Sequence, residues 1–235
     1  MLKNDLILRN PLRLLRNEKD SILPPGGFGA VLARAGVGKT AFMVQLALNT
    51  LLRDKNVLHI SLVDPVDKVT LWYKEVLNNI ASTYKVKQID QLWESILPHR
   101  FIMTFRVEGF SVPKLEERLS DITEQGIFNP QMIIIDGLPF EDESTGDALA
   151  GLKEMAKSRG MHVWFAVRTH RHEKPDSEGM PTQITDIVDL FDVVVQLQPQ
   201  AEEIHVKALK GGPDSADPLP LLLNPSTMLL KINGE

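Results

Sequence analysis

The chain contains no cysteine, so disulfides, thiolate metal sites and cysteine nucleophiles are excluded. Aromatic residues make up only 6%, too few for a platform on which successive bases stack. No stretch reaches the roughly eighteen consecutive apolar residues of a membrane-spanning helix. Basic residues are not in excess. Lys and Arg number 26 against 31 Asp and Glu, a net charge of −5. That balance excludes a general polyanion binder, and any nucleic-acid contact has to be a local patch. There is no internal repeat and no low-complexity tract. The first twenty residues, MLKNDLILRNPLRLLRNEKD, lack a continuous apolar core and a small-residue cleavage site. They do not read as a signal peptide, and the expected location is cytoplasmic.

What is present is 235 residues, 43% of them apolar, enough for one large domain with a sizeable core. Residues 1–25 form a distinct N-terminal arm. Leu2, Leu6, Leu8, Leu12, Leu14 and Leu15 are mixed there with Lys3, Arg9, Arg13 and Arg16, and Pro11 interrupts the pattern. Docking onto a neighbouring subunit is the expected role of its leucines. Pro24-Pro25-Gly26-Gly27 then punctuates the chain, and residues 26–235 form the main domain.

Elements alternate within that domain. Strands are expected at Phe28–Ala33, Val57–Leu62, Phe101–Phe105, Met132–Ile135 and Val163–Val167. Helices are expected at about Gly38–Leu52, Pro65–Ser82, 88–97, Pro113–Glu124 and Asp147–Ser158, with a short one at Ile184–Leu190. Val193–Leu197, Ile204–Ala208, Leu219–Leu222 and Met228–Ile232 read as closing strands. Strands alternating with helices of this length imply βαβ units and a mainly parallel sheet with helices on both faces. The close-set late strands imply antiparallel additions at one edge.

The sharpest motif is Ala33-Arg34-Ala35-Gly36-Val37-Gly38-Lys39-Thr40, between the first strand and the first long helix. It follows the phosphate-loop pattern G-x-x-x-x-G-K-[ST], with Ala33 in place of the first glycine. Gly36 and Gly38 let the backbone N–H groups of Ala35–Ala41 turn inward as a nest for phosphate oxygens. The following helix aims its positive end at the same place. Lys39 would reach the β- and γ-phosphates, and Thr40 would hold Mg²⁺ through its hydroxyl. The second motif is Met132-Ile133-Ile134-Ile135-Asp136-Gly137, roughly 95 residues downstream. An apolar strand delivers Asp136 to the carboxyl edge of the sheet, where it can orient Mg²⁺ or its water.

On these residues the chain resembles the RecA-like phosphate-loop ATPases, in particular the branch shared by DnaB-type replicative helicase cores and KaiC-type proteins. ARAGVGKTAFMVQLALNTLLRDKNVLHISL is similar to that branch's loop, first helix and second strand. LKEMAKSRGMHVWFAVRTHR and KALKGGPDS are similar to later segments of its core, so the likeness covers about residues 26–215. The resemblance implies an ATP-binding core that assembles into rings or filaments with nucleotide between subunits. Its preference for adenine comes from the resemblance alone.

Three positions depart from the family's pattern. The second strand there ends Ser-Leu-Glu, the glutamate polarising the attacking water. Here the run is Ser61-Leu62-Val63. Asp64, one residue on, reads either as a substitute base or as a helix N-cap ahead of Pro65, and the cap is favoured. Glu141, Asp142 and Glu143 are further carboxylates near Asp136, with Glu141 the candidate base. Where the family places a γ-phosphate sensor stands Arg168, a phosphate contact or a surface arginine. Where it places a trans-acting Lys-x-Arg stand Ala208 and Lys210, and Lys210 is a candidate finger. A general base contributes typically 10²–10⁴-fold in rate, so the expectation is ATP and Mg²⁺ binding with slow or absent hydrolysis. Nucleotide would then control oligomerisation or partner binding. The alternative is an active motor on nucleic acid, with Asp64 or Glu141 as base. The segment Arg168–Gln183 balances three basic residues against three acidic ones, so charge does not indicate such a role. His170-Arg171-His172 within it could suggest a metal site, but a surface loop is the favoured reading.

Overall fold

The computed structural model describes residues 3–15, 22–142, 145–170, 175–177, 179–212 and 219–234. Its centre is one nine-stranded sheet in the order β3-β2-β4-β5-β1-β6-β7-β8-β9. The strands are β1 (Phe28–Ala33), β2 (Val57–Ser61), β3 (Arg100–Thr104), β4 (Met132–Asp136), β5 (His162–Arg168), β6 (Val193–Gln200), β7 (Glu203–Lys210), β8 (Leu221–Leu223) and β9 (Leu230–Ile232). The first six in spatial order run parallel. The last three attach antiparallel, each to the one before. This is an α/β architecture with a mostly parallel sheet and an antiparallel extension, as the alternating pattern implied.

Helices cover both faces. Among the described residues seven are α-helical: α1 (Lys3–Arg9), α2 (Lys39–Leu51), α3 (Val66–Thr83), α4 (Ile89–Ile96), α5 (Val112–Glu124), α6 (Thr145–Arg159) and α7 (Thr182–Thr185). Successive strand residues point to opposite faces. Val31, Ala33, Met132 and Ile134 join α2, α3 and α4 in one core cluster. Phe28, Ala30, Leu32, Ile133 and Ile135 join α5 and α6 in the other. Because both faces are covered, β1 and β4 read as unbroken apolar runs.

Three expectations are revised. The helix expected at Ile184–Leu190 is two short pieces, α7 and a 3₁₀ turn at Val188–Leu190. Met228 takes a positive φ of 56° and belongs to the β8–β9 turn, not to a strand. In the N-terminal arm, Pro11 ends α1 and starts a 3₁₀ turn, Pro11–Leu15. Asn10 bridges the break, its side-chain oxygen accepting from Leu12 N–H at 3.0 Å. Leu6, Leu12 and Leu15 are buried in this chain's own core, where they meet α2, so they do not face a neighbour.

Helix α2 lies deepest, with every residue from Ala41 to Leu51 buried. Its polar side chains are therefore all paired. Gln45 donates to Met228 O at 2.9 Å and accepts from Leu230 N–H at 2.8 Å. Asn49 accepts from Asn10 at 3.3 Å, and the Thr50 hydroxyl donates to Leu46 O. These bonds fix the arm and the β8–β9 hairpin over α2.

A second buried polar group sits between β2 and α3. His59 is 1% exposed and its Nδ1 is 3.1 Å from the Tyr73 hydroxyl. The Arg100 guanidinium stacks between the rings of Tyr73 and Trp93, at 4.8 and 5.0 Å. Burial, reinforced by Arg100, pushes the His59 imidazole down to about 3. The unfolded chain takes a proton there near pH 6.5 while the folded chain refuses it. His59 therefore costs stability progressively as pH falls from about 6.5 towards 3, at roughly 1.4 kcal/mol per pH unit. Urea denaturation of the wild type and His59→Leu tests this. The wild type's stability relative to the variant should fall by a few kcal/mol between pH 7 and pH 4.

Candidate functional site

The site is built where β1 gives way to α2. Ala33 ends the strand, fully buried, and Arg34, Ala35 and Gly36 emerge into solvent. Gly36 has φ 77° and faces open space. Gly38 is the N-cap of α2, at φ 110° and ψ 19°, with no side-chain cap hydrogen bond. Its φ favours glycine, and a Cβ there would lie 2.6 Å from Leu223 Cδ2, so that side chain would have to move. The helix's own ladder starts with Phe42 N–H on Gly38 O, at 3.0 Å. The N–H groups of the turn before it, at Lys39, Thr40 and Ala41, have no carbonyl inside the helix and face the open end. The helix dipole makes that end positive.

Lys39 folds back over the loop. Its Nζ donates to Ala33 O at 2.9 Å and Arg34 O at 3.1 Å. Burial lowers its pKa, opposed by Asp136 and assisted by Arg168. The Thr40 hydroxyl donates to Asp136 Oδ2 at 3.4 Å. Asp136 reaches this point because β4 lies one strand away from β1, across β5, in parallel register. Burial raises the pKa of the Asp136 carboxyl. Lys39 and Thr40 oppose the rise and nearby Asp64 adds to it. Lys39, Thr40 and Asp136, read from two motifs roughly 95 residues apart, thus form one cluster.

The other sequence candidates fall around this cluster or away from it. Val63, at the glutamate position, is 62% exposed beside Gly137, whose Cβ, if built, would sit 2.8 Å from Val63 Cγ1. Asp64 is not the N-cap of α3. Pro65 holds that position, and the Asp64 carboxylate pairs with Lys68 at 2.8 Å, one helical turn on. Pro65 has φ −70° but an extended ψ of 162°, so it stands as the non-helical cap itself and Asp64 lies one residue outside. Arg168 ends β5, exposed and in register with Ala33. Glu141 bonds His170 across the loops after β4 and β5. Lys210 stands apart. Strand β7 runs antiparallel, so Lys210 pairs with Val194 near the start of β6, at the opposite edge of the sheet from Lys39. There its Nζ donates to Val188 O at 2.9 Å. Glu143, Arg171, His172, Glu173, Lys174 and Glu178 lie outside the described residues.

Several participants escaped sequence reading. Thr169 N–H donates to Ala33 O at 3.1 Å and ties the β5 exit to the loop. Leu223 and Met228 back Gly38 from more than 180 residues away. A cleft of about 230 Å³ opens beside Arg34, lined also by Thr169, His170, Gln183, Gln196 and Lys207. The alternation Gln196-Leu197-Gln198 was the available signal, since it puts two amides on one strand face.

Both donors that could hold a divalent cation, the Thr40 hydroxyl and the Asp136 carboxylate, are hard oxygens. Among the described residues no group of three or more His, Asp and Glu could hold a metal. Two protein oxygens suit Mg²⁺, which keeps several waters and takes substrate phosphate oxygens. No family model and no curated protein matches this chain.

The raised pKa of Asp136 carries a sign. Its charge burdens the folded state once pH rises from about 4 through the folded pKa. Asp136→Asn removes that burden. In the metal-free protein, the melting temperature of the variant relative to wild type should therefore rise between pH 4 and pH 7.

Proposed function

We propose that this chain is a RecA-like phosphate-loop protein that binds ATP with Mg²⁺ and turns it over slowly or not at all. Its nucleotide state would control assembly, as a ring or filament, or the binding of a partner. The observation carrying this reading is the cluster of Lys39, Thr40 and Asp136 at the carboxyl edge of β1 and β4. Such an edge is where open α/β sheets bind ligands.

Each residue has a role in that reading. The N–H groups of Ala35–Ala41 cradle phosphate oxygens. Lys39 exchanges the carbonyls of Ala33 and Arg34 for the β- and γ-phosphates. Thr40 and Asp136 hold Mg²⁺, which would neutralise phosphate charge. A desolvated carboxylate already short of compensating charge favours a cation beside it. Arg168, whose charge is felt at Lys39, is the candidate phosphate sensor.

Slow turnover follows from Val63. An isopropyl group cannot take a proton from water, and the nearest alternatives are engaged elsewhere, Asp64 with Lys68 and Glu141 with His170. The coupling of Asp64 to Asp136 is the observation that keeps an active motor as the second reading.

Melting curves and steady-state turnover test the proposal together. Saturating MgATP should raise the melting temperature of wild type and leave Lys39→Ala unmoved. Turnover should stay within a few-fold of that control, and Val63→Glu should increase it at least tenfold. No thermal shift in wild type would overturn nucleotide binding. Wild-type turnover 10²-fold above the control would overturn the slow-hydrolysis reading and favour the motor.

A further inference from the structure

A second cavity lies away from the loop, along α2. It measures about 350 Å³, within the range of roughly 300–1,000 Å³ of small-molecule sites. Its walls come from four elements distant in sequence: the N-terminal arm, α2, α3 and the β8–β9 hairpin. Leu6, Pro11, Leu48, Leu52, Ile80 and Leu230 supply its apolar lining. Pro11, which begins the 3₁₀ turn of the arm, forms part of the cavity wall.

Most polar groups around this cavity already have partners. Gln45 is held by Ala41 O, Met228 O and Leu230 N–H. Asn10 is held by Asn49 and Leu12 N–H. The Asn224 carboxamide oxygen accepts from Ser226 and Thr227. The one charged lining residue, Lys231, pairs with Glu203 at 2.8 Å. A charged ligand would have to leave water for an apolar chamber without a free counter-charge, which is costly. At the rim stands Thr83, exposed. Its hydroxyl donates to Asn79 O at 2.9 Å and keeps its lone pairs for a further donor.

We infer that this cavity is a binding site for a small uncharged molecule with an aliphatic body and one hydroxyl. The body lies among the leucines and Ile80, and the hydroxyl donates to Thr83 Oγ1. The site is independent of the nucleotide reading, and its occupancy needs no nucleotide. It is placed so that a ligand would touch Leu230 and Gln45. Leu230 pairs across the hairpin with Leu223, which packs against Gly38, and Gln45 lies on the helix that Gly38 caps.

Leucine-methyl NMR of the full chain, titrated with n-hexanol and separately with hexanoate, tests the assignment. n-Hexanol should shift the methyls of Leu48, Leu52, Leu229 and Leu230 saturably, at least tenfold more tightly than hexanoate. Thr83→Trp, at an exposed position, should block the mouth and abolish those shifts while the variant melts within a few degrees of wild type. Thr83→Val should weaken binding several-fold through loss of the acceptor. Absence of saturable shifts, equal binding of hexanoate, or undiminished binding by a folded Thr83→Trp would overturn the proposal. So would a mass doubling at high concentration that Thr83→Trp abolishes, because a second copy would then occupy the cavity.

Discussion

The burial of α2 is the constraint on which fold and site both depend. A helix with eleven consecutive buried residues must be enclosed by partners from every direction. The sheet closes one side, α3 another, and the arm and β8–β9 hairpin the rest. Its polar residues then decide which partners fit. Gln45 accepts only a strand end that offers both a carbonyl and an N–H, and the segment Met228–Leu230 does so. The same enclosure holds the first turn of α2 still, so that Lys39 and Thr40 meet Asp136 without a mobile element between them. The order of this first turn thus comes from packing tens of residues away.

Electrostatics at that first turn run against the folded protein. A carboxylate and a lysine are both desolvated, each pulled from its ordinary pKa by burial and only partly compensated by the other. Lys39 rests on backbone carbonyls and Asp136 on a long bond from a hydroxyl. Such an arrangement is unfavourable alone and becomes favourable when an anion and a cation arrive together. That is the requirement of a magnesium–nucleotide site. On the proposed reading, Val63 supplies an apolar surface where hydrolysis would need a base, so nucleotide binding and turnover would be separable.

Much of this was legible in the sequence because it is local. The parallel strands are short apolar runs bounded by polar turns, and their positions matched to within a residue or two. The Gly36–Thr40 run carries its own geometry, because two glycines with positive φ can be foreseen from the turn they must make. What escaped was non-local. The arm reads as an exposed amphipathic segment, since no periodicity says that Leu6, Leu12 and Leu15 fold back onto α2. Asp64 reads as a cap because Asp-Pro is a good helix start, and one residue of shift moved it out of that role. Lys210 lies at the opposite edge of the sheet from this chain's own Lys39 because β7 runs antiparallel, a direction that spacing along the chain does not carry, so any role as a finger would be toward a neighbouring subunit. The tie from Thr169 to Ala33 joins β5 to β1, neighbours only in the folded sheet.

The proposed site recognises phosphate through the loop rather than through general stickiness of the carboxyl edge. Titration calorimetry of MgADP against adenosine, on the wild type and Lys39→Ala, measures this directly. MgADP should bind the wild type, adenosine should give no measurable heat, and the variant should lose at least tenfold in affinity. Equal affinity for adenosine, or full affinity in Lys39→Ala, would contradict a site built around phosphate.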